Sequence, residues 1–157
     1  MKPRNCQPCT ACCEGWLASK NIDMTIGRPC KHCSKGGCDI YDKRPVDPCR
    51  TFSCAWVEKG STLSGRLRPD RCGAILLNNR KFKQWDVLVA TPTGWKIPDR
   101  TLRAIMDYAY QQDMPLIYIE NLHKDGVYTH FSRSGFGPAP FLKAITRSTR
   151  QIDFRQI

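Results

Sequence analysis

Cysteine is missing from the second half of this sequence, and apolar residues are scarce in the first half. All ten cysteines fall at or before Cys72. Leucine, isoleucine, valine and phenylalanine make up only 9 of residues 1–72 but 23 of residues 73–157. A segment with less than about 20% of these residues rarely builds its own core. We therefore expect an α+β protein in which residues 1–72 form a loop-rich cysteine-cluster lobe stabilised by metal, and residues 73–157 form a small α/β portion packed on it.

Long hydrophobic runs are also absent. The segment MKPRNCQPC at residues 1–9 has no apolar run, so no secretory signal is expected there, and no stretch approaches a membrane-spanning helix. These absences predict a cytoplasmic protein without a membrane partner, in a compartment that keeps thiols reduced. Ten cysteines in that compartment favour metal binding. Their even number still leaves a disulfide framework open.

Motifs for nucleotide chemistry are missing too. The sequence contains no P-loop and no G-x-G-x-x-G. A cysteine nucleophile paired with a histidine would need a low-pKa thiol near His123 or His130, and no motif supports such a pair. No catalytic residue is assigned, and whether the protein is an enzyme stays open.

Regular periodicity begins only after Cys72. Alternating or continuous apolar runs predict strands, the apolar face of residues 98–113 predicts a helix with Asp99 as its N-cap, and Lys124-Asp125-Gly126 predicts a turn. The predicted elements are strands at 74–78 and 86–91, a helix at 98–113, and strands at 115–121 and 126–131. Their β-β-α-β-β order fits a small sheet with a helix on one face. Residues 58–70 contain glycine and serine, and we expect a linker or exposed loop there.

The cysteines fall into two groups. The first is Cys6, Cys9, Cys12 and Cys13 in CQPCTACC. In C-x-x-C two sulfurs can turn toward one ion, and zinc favours four such ligands. On a helix Cys6, Cys9 and Cys13 would share one face, with Cys12 turned aside. The adjacent pair therefore indicates two neighbouring metal environments or one multinuclear cluster.

The second group lies in PCKHCSKGGCDIYDKRPVDPCRTFSC, residues 29–54. With it the sequence resembles the CxxCxxCC cysteine-cluster family of zinc- or iron-chelating domain proteins, over about fifty residues. The matching positions are Cys6, Cys9, Cys12, Cys13, Pro29-Cys30, Gly37-Cys38, Ile40-Tyr41, Arg44-Pro45, Cys49-Arg50, Phe52 and Cys54. Cys33 and Cys72 lie outside that pattern.

The resemblance implies metal binding by eight cysteines. They are Cys6, Cys9, Cys12, Cys13, Cys30, Cys38, Cys49 and Cys54. Eight thiolates fit about two zinc (Zn2+) sites, or alternatively a 4Fe-4S cluster or iron. CQPCTAC matches the first three ligands of a bacterial ferredoxin run, but the fourth is missing, so the metal stays open.

Other side chains near these cysteines have two interpretations each. His32, within CKHC, is a further ligand or a solvated loop residue. Asp39 and Asp42 are oxygen ligands or turn-capping residues. The four tryptophans form a stacking platform for bases or, as we expect, core and cluster-shielding residues. The basic C-terminal tail after Lys143 is expected to be a solvated surface.

The net charge of +11 is typical of nucleic-acid-binding proteins, but that value counts every cysteine as neutral. Two zinc ions with eight thiolates would lower the charge to +7, so part of the basic excess compensates for sulfur. The sequence predicts a cytosolic metal-binding protein with a structural or metal-delivery role, with metal ions as partners and nucleic acid bound weakly at most. A protein partner is left open. The alternatives are an iron–sulfur redox protein or enzyme component, and a zinc-dependent nucleic-acid-binding module.

Overall fold

The first half of the chain is loop-rich. A computed structural model describes residues 4–157, so residues 1–3 of the expected lobe lie outside the described residues. The elements of the lobe are 3-10 turns at Ala11–Cys13, Lys20–Ile22, Tyr41–Lys43 and Gly65–Leu67, the hairpin strands β1 (Cys33–Ser34) and β2 (Gly37–Cys38), and the short helix α1 (Pro69–Cys72). The predicted α+β class is confirmed at this level: a cysteine-rich loop region precedes a sheet with helices.

The second half contains a four-stranded mixed sheet. Its elements are β3 (Ala74–Phe82), β4 (Trp85–Pro92), α2 (Asp99–Gln111), β5 (Leu116–Lys124), β6 (Val127–Phe136) and α3 (Ala139–Arg147). The strand order is β3-β4-β5-β6. The outer pairs are antiparallel hairpins, and β4 runs parallel to β5 because α2 crosses between them. The β-β-α-β-β order expected from periodicity is therefore confirmed.

The element ends differ from the sequence-based bounds. β3 continues through Phe82, beyond its predicted end at residue 78, with a bulge between Leu77 and Arg80. Asp99 is the first residue of α2 rather than its N-cap, and the cap, Pro98, makes no side-chain hydrogen bond. Asp125 and Gly126 form the predicted turn between β5 and β6, both at positive φ.

The sheet lies between two layers. On one face, Leu76, Leu88 and Leu116 pack with Ile105 and Ala109 of α2. On the opposite face, alternate strand residues such as Ile75, Val89 and Ile117 contact the cysteine-rich region and α3. Because side chains alternate along a strand, one sheet supports both layers. The sheet therefore provides the cysteine-rich region with an apolar packing surface that its own few apolar residues could not form alone.

Two expectations about loops are only partly correct. Residues 58–70 were expected to be a linker or exposed loop; the segment is mostly loop, but Leu63 and Leu67 are buried in the core on the α2 side of the sheet. The tail from Lys143 onward was expected to be a solvated surface; most of its residues are exposed, but Ile145, Phe154 and Arg155 are buried. Lys143 and Arg147 lie exposed on the outside of α3, so only part of this segment contacts solvent.

The C-terminal residues connect the two halves. The backbone N–H of Ala18 donates to the carbonyl of Arg155 at 3.0 Å, and that of Ile157 donates to Ala18 at 2.8 Å. The Arg155 side chain is fully buried. It donates to Asp153, Asn121 and the Tyr128 hydroxyl, which satisfies a charge that burial would otherwise destabilise. Within the described residues, none of the helices has the length and apolar content that a membrane crossing requires.

Candidate metal centre

Short turns and the β1–β2 hairpin hold the cysteines of the two groups. Cys6 and Cys9 are joined by a turn in which the N–H of Cys9 donates to the carbonyl of Cys6 at 2.7 Å. Helical structure in the first group is limited to the 3-10 turn Ala11–Cys13, which contains Cys12 and Cys13. Cys30 precedes the β1–β2 hairpin, and Cys49 and Cys54 follow it.

One cavity of about 410 Å³ is lined by nine of the ten cysteines. The lining includes all eight cysteines predicted as ligands and adds Cys33; the nine are Cys6, Cys9, Cys12, Cys13, Cys30, Cys33, Cys38, Cys49 and Cys54. Cys72 is buried elsewhere and donates to the carbonyl of Ala74 at 3.3 Å. All ten are free thiols. The cavity therefore collects reduced sulfur from residues far apart in sequence.

Backbone contacts hold the segments of this cavity in place. The N–H of Cys30 donates to the carbonyl of Cys13 at 2.8 Å, and that of Gly27 donates to Gly15 at 2.8 Å. Gly15 has φ +85°, and a Cβ there would lie 2.8 Å from the carbonyl carbon of Arg28. Only glycine allows this close approach, which fixes the first cysteine segment against the second.

Cys12 interacts directly with Cys54. A hydrogen bond between the two thiols raises the pKa of Cys12 well above its usual value and lowers the pKa of Cys54 to about 7. Hydrogen bonds from the backbone N–H groups of Val57 and Trp56 also act to lower the pKa of Cys54. Its position is set from the sheet, since the N–H of Ala55 donates to the carbonyl of Leu76 in β3 at 2.8 Å.

Cys13 lies near a different group of thiols. Burial, together with the charges of four neighbouring thiols, raises the pKa of Cys13 to about 12. Those thiols are Cys33, Cys30, Cys49 and Cys38. Although Cys12 and Cys13 are adjacent and interact, their principal partners differ, Cys54 for one and the hairpin cysteines for the other.

Only some of the other candidate residues line the cavity. His32 lines the cavity, whereas Asp39 and Asp42 are exposed and lie outside its lining. Trp56 lines the cavity, and Trp16 packs beside the cysteines and makes an edge contact with Trp95 at 5.8 Å between ring centroids. Trp85 contacts Phe141 of α3. The tryptophans thus occupy core and cavity-wall positions.

Arginines at the cavity wall were missed by sequence reasoning. They are Arg4, Arg44, Arg50 and Arg68. Arg4 and Arg68 lie 4.7 and 5.5 Å from the Trp56 ring centroid, and Arg44 lies 3.7 Å from that of Tyr41. The positive charge of Arg44 acts to lower the pKa of Cys49, although burial and neighbouring thiols raise it overall. Two of these arginines, Arg44 and Arg50, belong to the Arg-Pro and Cys-Arg pairs of the motif, so the sequence did contain a signal for them.

The donor set fits a thiophilic metal, because thiolates suit zinc and iron–sulfur clusters. Within residues 4–157, no three histidine, cysteine or acidic side chains form a group already arranged around an ion. A bound metal would have to draw the sulfurs of the cavity toward a common centre. None of three comparisons, with models of protein families, with curated proteins and with solved structures, finds a match to this chain.

Proposed function

We propose that this protein binds thiophilic metal ions in its cysteine-lined cavity, with about two zinc ions as the first candidate occupant. The proposal rests on one observation: eight cysteines singled out by spacing and motif, from two groups at residues 6–13 and 30–54, line the same cavity. The ligands would be Cys6, Cys9, Cys12, Cys13, Cys30, Cys38, Cys49 and Cys54. A cytoplasmic location, where thiols stay reduced, completes the proposal.

The division between Cys12 and Cys13 supports two sites. A tetrahedral zinc ion takes four ligands at about 2.3 Å from sulfur. Cys12 interacts with Cys54 and is near Cys9, whereas Cys13 is near the hairpin cysteines. Two neighbouring ions satisfy both groups more readily than one ion would. The same division accommodates two 4Fe-4S clusters, which also take four thiolates each.

The wall arginines favour metal chelation over nucleic-acid binding. Eight thiolates with two divalent ions leave four negative charges, and the four arginines of the wall lie where that charge would form. Three of these guanidinium groups already have partners: Arg4 donates to the carbonyls of Trp56 and Leu63, Arg50 to those of Arg44 and Asp42, and Arg68 pairs with Asp70. We therefore expect only weak, non-specific nucleic-acid binding, with Kd of roughly 10⁻⁴–10⁻⁶ M at physiological salt.

The resident role is structural stabilisation of the cysteine-rich region or delivery of metal to a partner. An iron–sulfur redox protein or enzyme component is the alternative, because the same thiolates bind both kinds of centre. Anaerobic purification, elemental analysis and a visible spectrum separate these. Colourless protein with about two zinc ions supports the first role, and a coloured protein whose absorption bleaches on reduction supports the second.

Native mass spectrometry of the reduced protein provides the decisive measurement. The expected result is two zinc ions, or two clusters, per chain. Cys72→Ser is the matched control, because Cys72 does not line the cavity and should leave the stoichiometry unchanged. Fully reduced wild-type protein that binds neither zinc nor iron would overturn the proposed function.

A further inference from the structure

The hairpin β1–β2 places two thiols on one face. Cys33 of β1 pairs with Cys38 of β2, and Ser34 pairs with Gly37. The N–H of Asp39 donates to the carbonyl of His32 at 3.0 Å, so the neighbouring pair is hydrogen-bonded. In antiparallel strands such pairs alternate, which makes Cys33 and Cys38 a non-hydrogen-bonded pair. Side chains of such a pair lie closest, with Cβ atoms about 4.5–5.5 Å apart.

Two further backbone bonds connect this pair to Cys30 and Cys13. The N–H of Cys33 donates to the carbonyl of Cys30 at 2.9 Å, which closes the C-x-x-C turn. The N–H of Cys30 in turn donates to the carbonyl of Cys13 at 2.8 Å. Two backbone hydrogen bonds and one cross-strand pairing thus connect four cysteines, one to the next: Cys13, Cys30, Cys33 and Cys38.

Cys49 has a different attachment. Its segment makes only local backbone bonds among the described residues, such as the N–H of Phe52 to the carbonyl of Pro48 at 2.8 Å. Both Cys33 and Cys49 are half-buried and line the cavity. The backbone therefore fixes Cys33 relative to Cys13, Cys30 and Cys38 at least as firmly as it fixes Cys49.

We propose that Cys33, which the motif does not assign, is a thiolate ligand of the metal site that contains Cys13, Cys30 and Cys38. This inference rests on the proposed function and changes its ligand set: Cys33 takes the place given there to Cys49, so that Cys13, Cys30, Cys33 and Cys38 are the four ligands of this site. Zinc is the probe, since four thiolates complete its tetrahedral site.

Alkylation mapping tests this without any substitution. Reduced protein, metal-free or loaded with zinc, is treated with a thiol-alkylating agent, and each cysteine is quantified by mass spectrometry. A zinc-bound thiolate is shielded, so we expect zinc to slow the alkylation of Cys33 by about tenfold or more, together with that of Cys30 and Cys38. Alkylation of Cys33 at its metal-free rate, while two zinc ions stay bound, would overturn the inference.

Variants provide a second measurement. Loss of an outer-shell partner alone weakens metal binding about 10–100-fold, so loss of a direct ligand in Cys33→Ser should weaken zinc retention against a chelator at least roughly tenfold. Cys33→His, which keeps a metal-binding side chain, should restore retention, and its Co2+-loaded form should show weaker sulfur-to-cobalt absorption than the wild type. Retention in Cys33→Ser equal to that of Cys72→Ser contradicts the inference. Wild-type protein that binds no zinc would instead contradict the proposed function itself.

Discussion

The backbone N–H of Cys30 donates a hydrogen bond to the carbonyl oxygen of Cys13 at 2.8 Å, and this contact joins the two cysteine-rich segments. Within residues 4–72, regular structure is limited to short 3-10 turns, one hairpin whose strands have two residues each, and a four-residue helix. The few apolar side chains there, such as Leu17 and Met24, pack onto the sheet rather than onto one another alone. A metal ion bound by the cavity-lining thiols would therefore cross-link a region that has little secondary structure of its own.

Removing the metal should loosen the cysteine-rich region and spare the sheet. We expect a strong chelator, under reducing conditions, to abolish amide protection around Cys13 and Cys30, because ligation energy is folding energy in such segments. The strands β4 and β5, buried in the centre of the sheet, should keep their protection. Hydrogen exchange read by mass spectrometry gives both results in one experiment. Unchanged exchange and far-UV circular dichroism, after loss of metal is demonstrated, would contradict this prediction.

Metal affinity should rise with pH. Burial raises the pKa of Cys13 to about 12, and the pKa of Cys12 is also raised, so the metal-free thiols hold protons at neutral pH. Zinc binds thiolate, so each ligand must release its proton, and protons compete with the metal as pH falls. Cys54, whose pKa is lowered to about 7, ionises first. Competition titrations with a chelator at several pH values should show zinc binding that weakens steadily below neutrality. Affinity independent of pH would contradict the predicted protonation states.

The sequence predicts structure that depends on a local pattern, and it does not predict structure that depends on contacts between distant residues. Short continuous apolar runs such as Asp86-Val-Leu-Val-Ala-Thr91 predicted their strands because the pattern is local. α3 was not predicted because it has only two buried apolar side chains, Phe141 and Ile145, and they stand on either side of Lys143, where the basic tail begins. Their burial depends on β6, where Gly135 leaves room for Ile145: a Cβ on that glycine would lie 2.7 Å from the Ile145 side chain.

The same distinction between local patterns and long-range contacts applies to the site. Spacing and motif selected eight cysteines, but which thiols face one another depends on contacts between distant segments, as between Cys12 and Cys54. The motif omits Cys33, and its pairing with Cys38 could not be predicted, because Lys35-Gly36 lacks the Asn-Gly or Asp-Gly signal of a two-residue hairpin and each flanking strand has only two residues. Net charge did not reveal that four arginines lie at the cavity wall, because charge location is a tertiary property.

Arg44 should support metal binding through its charge. Its guanidinium lies over the Tyr41 ring and its charge favours the thiolate of Cys49. Arg44→Gln should weaken zinc binding by about 0.2–1 kcal/mol, up to roughly fivefold, as expected for a partly solvated charge pair. Arg103→Gln on the exposed side of α2 is the matched control, since it removes the same charge far from the cavity lining. Equal effects of the two substitutions on chelator competition would show that only net charge matters.

Arg155 should be required for stability. Its guanidinium is fully buried and is the donor to the Asn121 side-chain oxygen at 2.6 Å. Arg155→Met keeps much of the volume but leaves that buried oxygen without its donor, which costs about 1–3 kcal/mol. We expect a lower midpoint in denaturant unfolding with unchanged zinc stoichiometry. Gln156→Ala, at the exposed neighbouring position, is the control. A midpoint equal to that of Gln156→Ala would mean that the C-terminal contacts contribute little.

Cys12→Ser and Cys13→Ser should each remove a different site. Cys12 interacts with Cys54, whereas burial and the charges of the hairpin thiols act on Cys13, so the two variants disable different ligand groups. Native mass spectrometry should show one zinc ion instead of two in each variant. Alkylation mapping of the zinc-loaded variants should then expose Cys54 in the first and Cys38 in the second. If both variants expose the same cysteines, or if saturated, fully reduced wild-type protein holds a single mononuclear ion, then the two adjacent cysteines serve one site and the division proposed here is wrong.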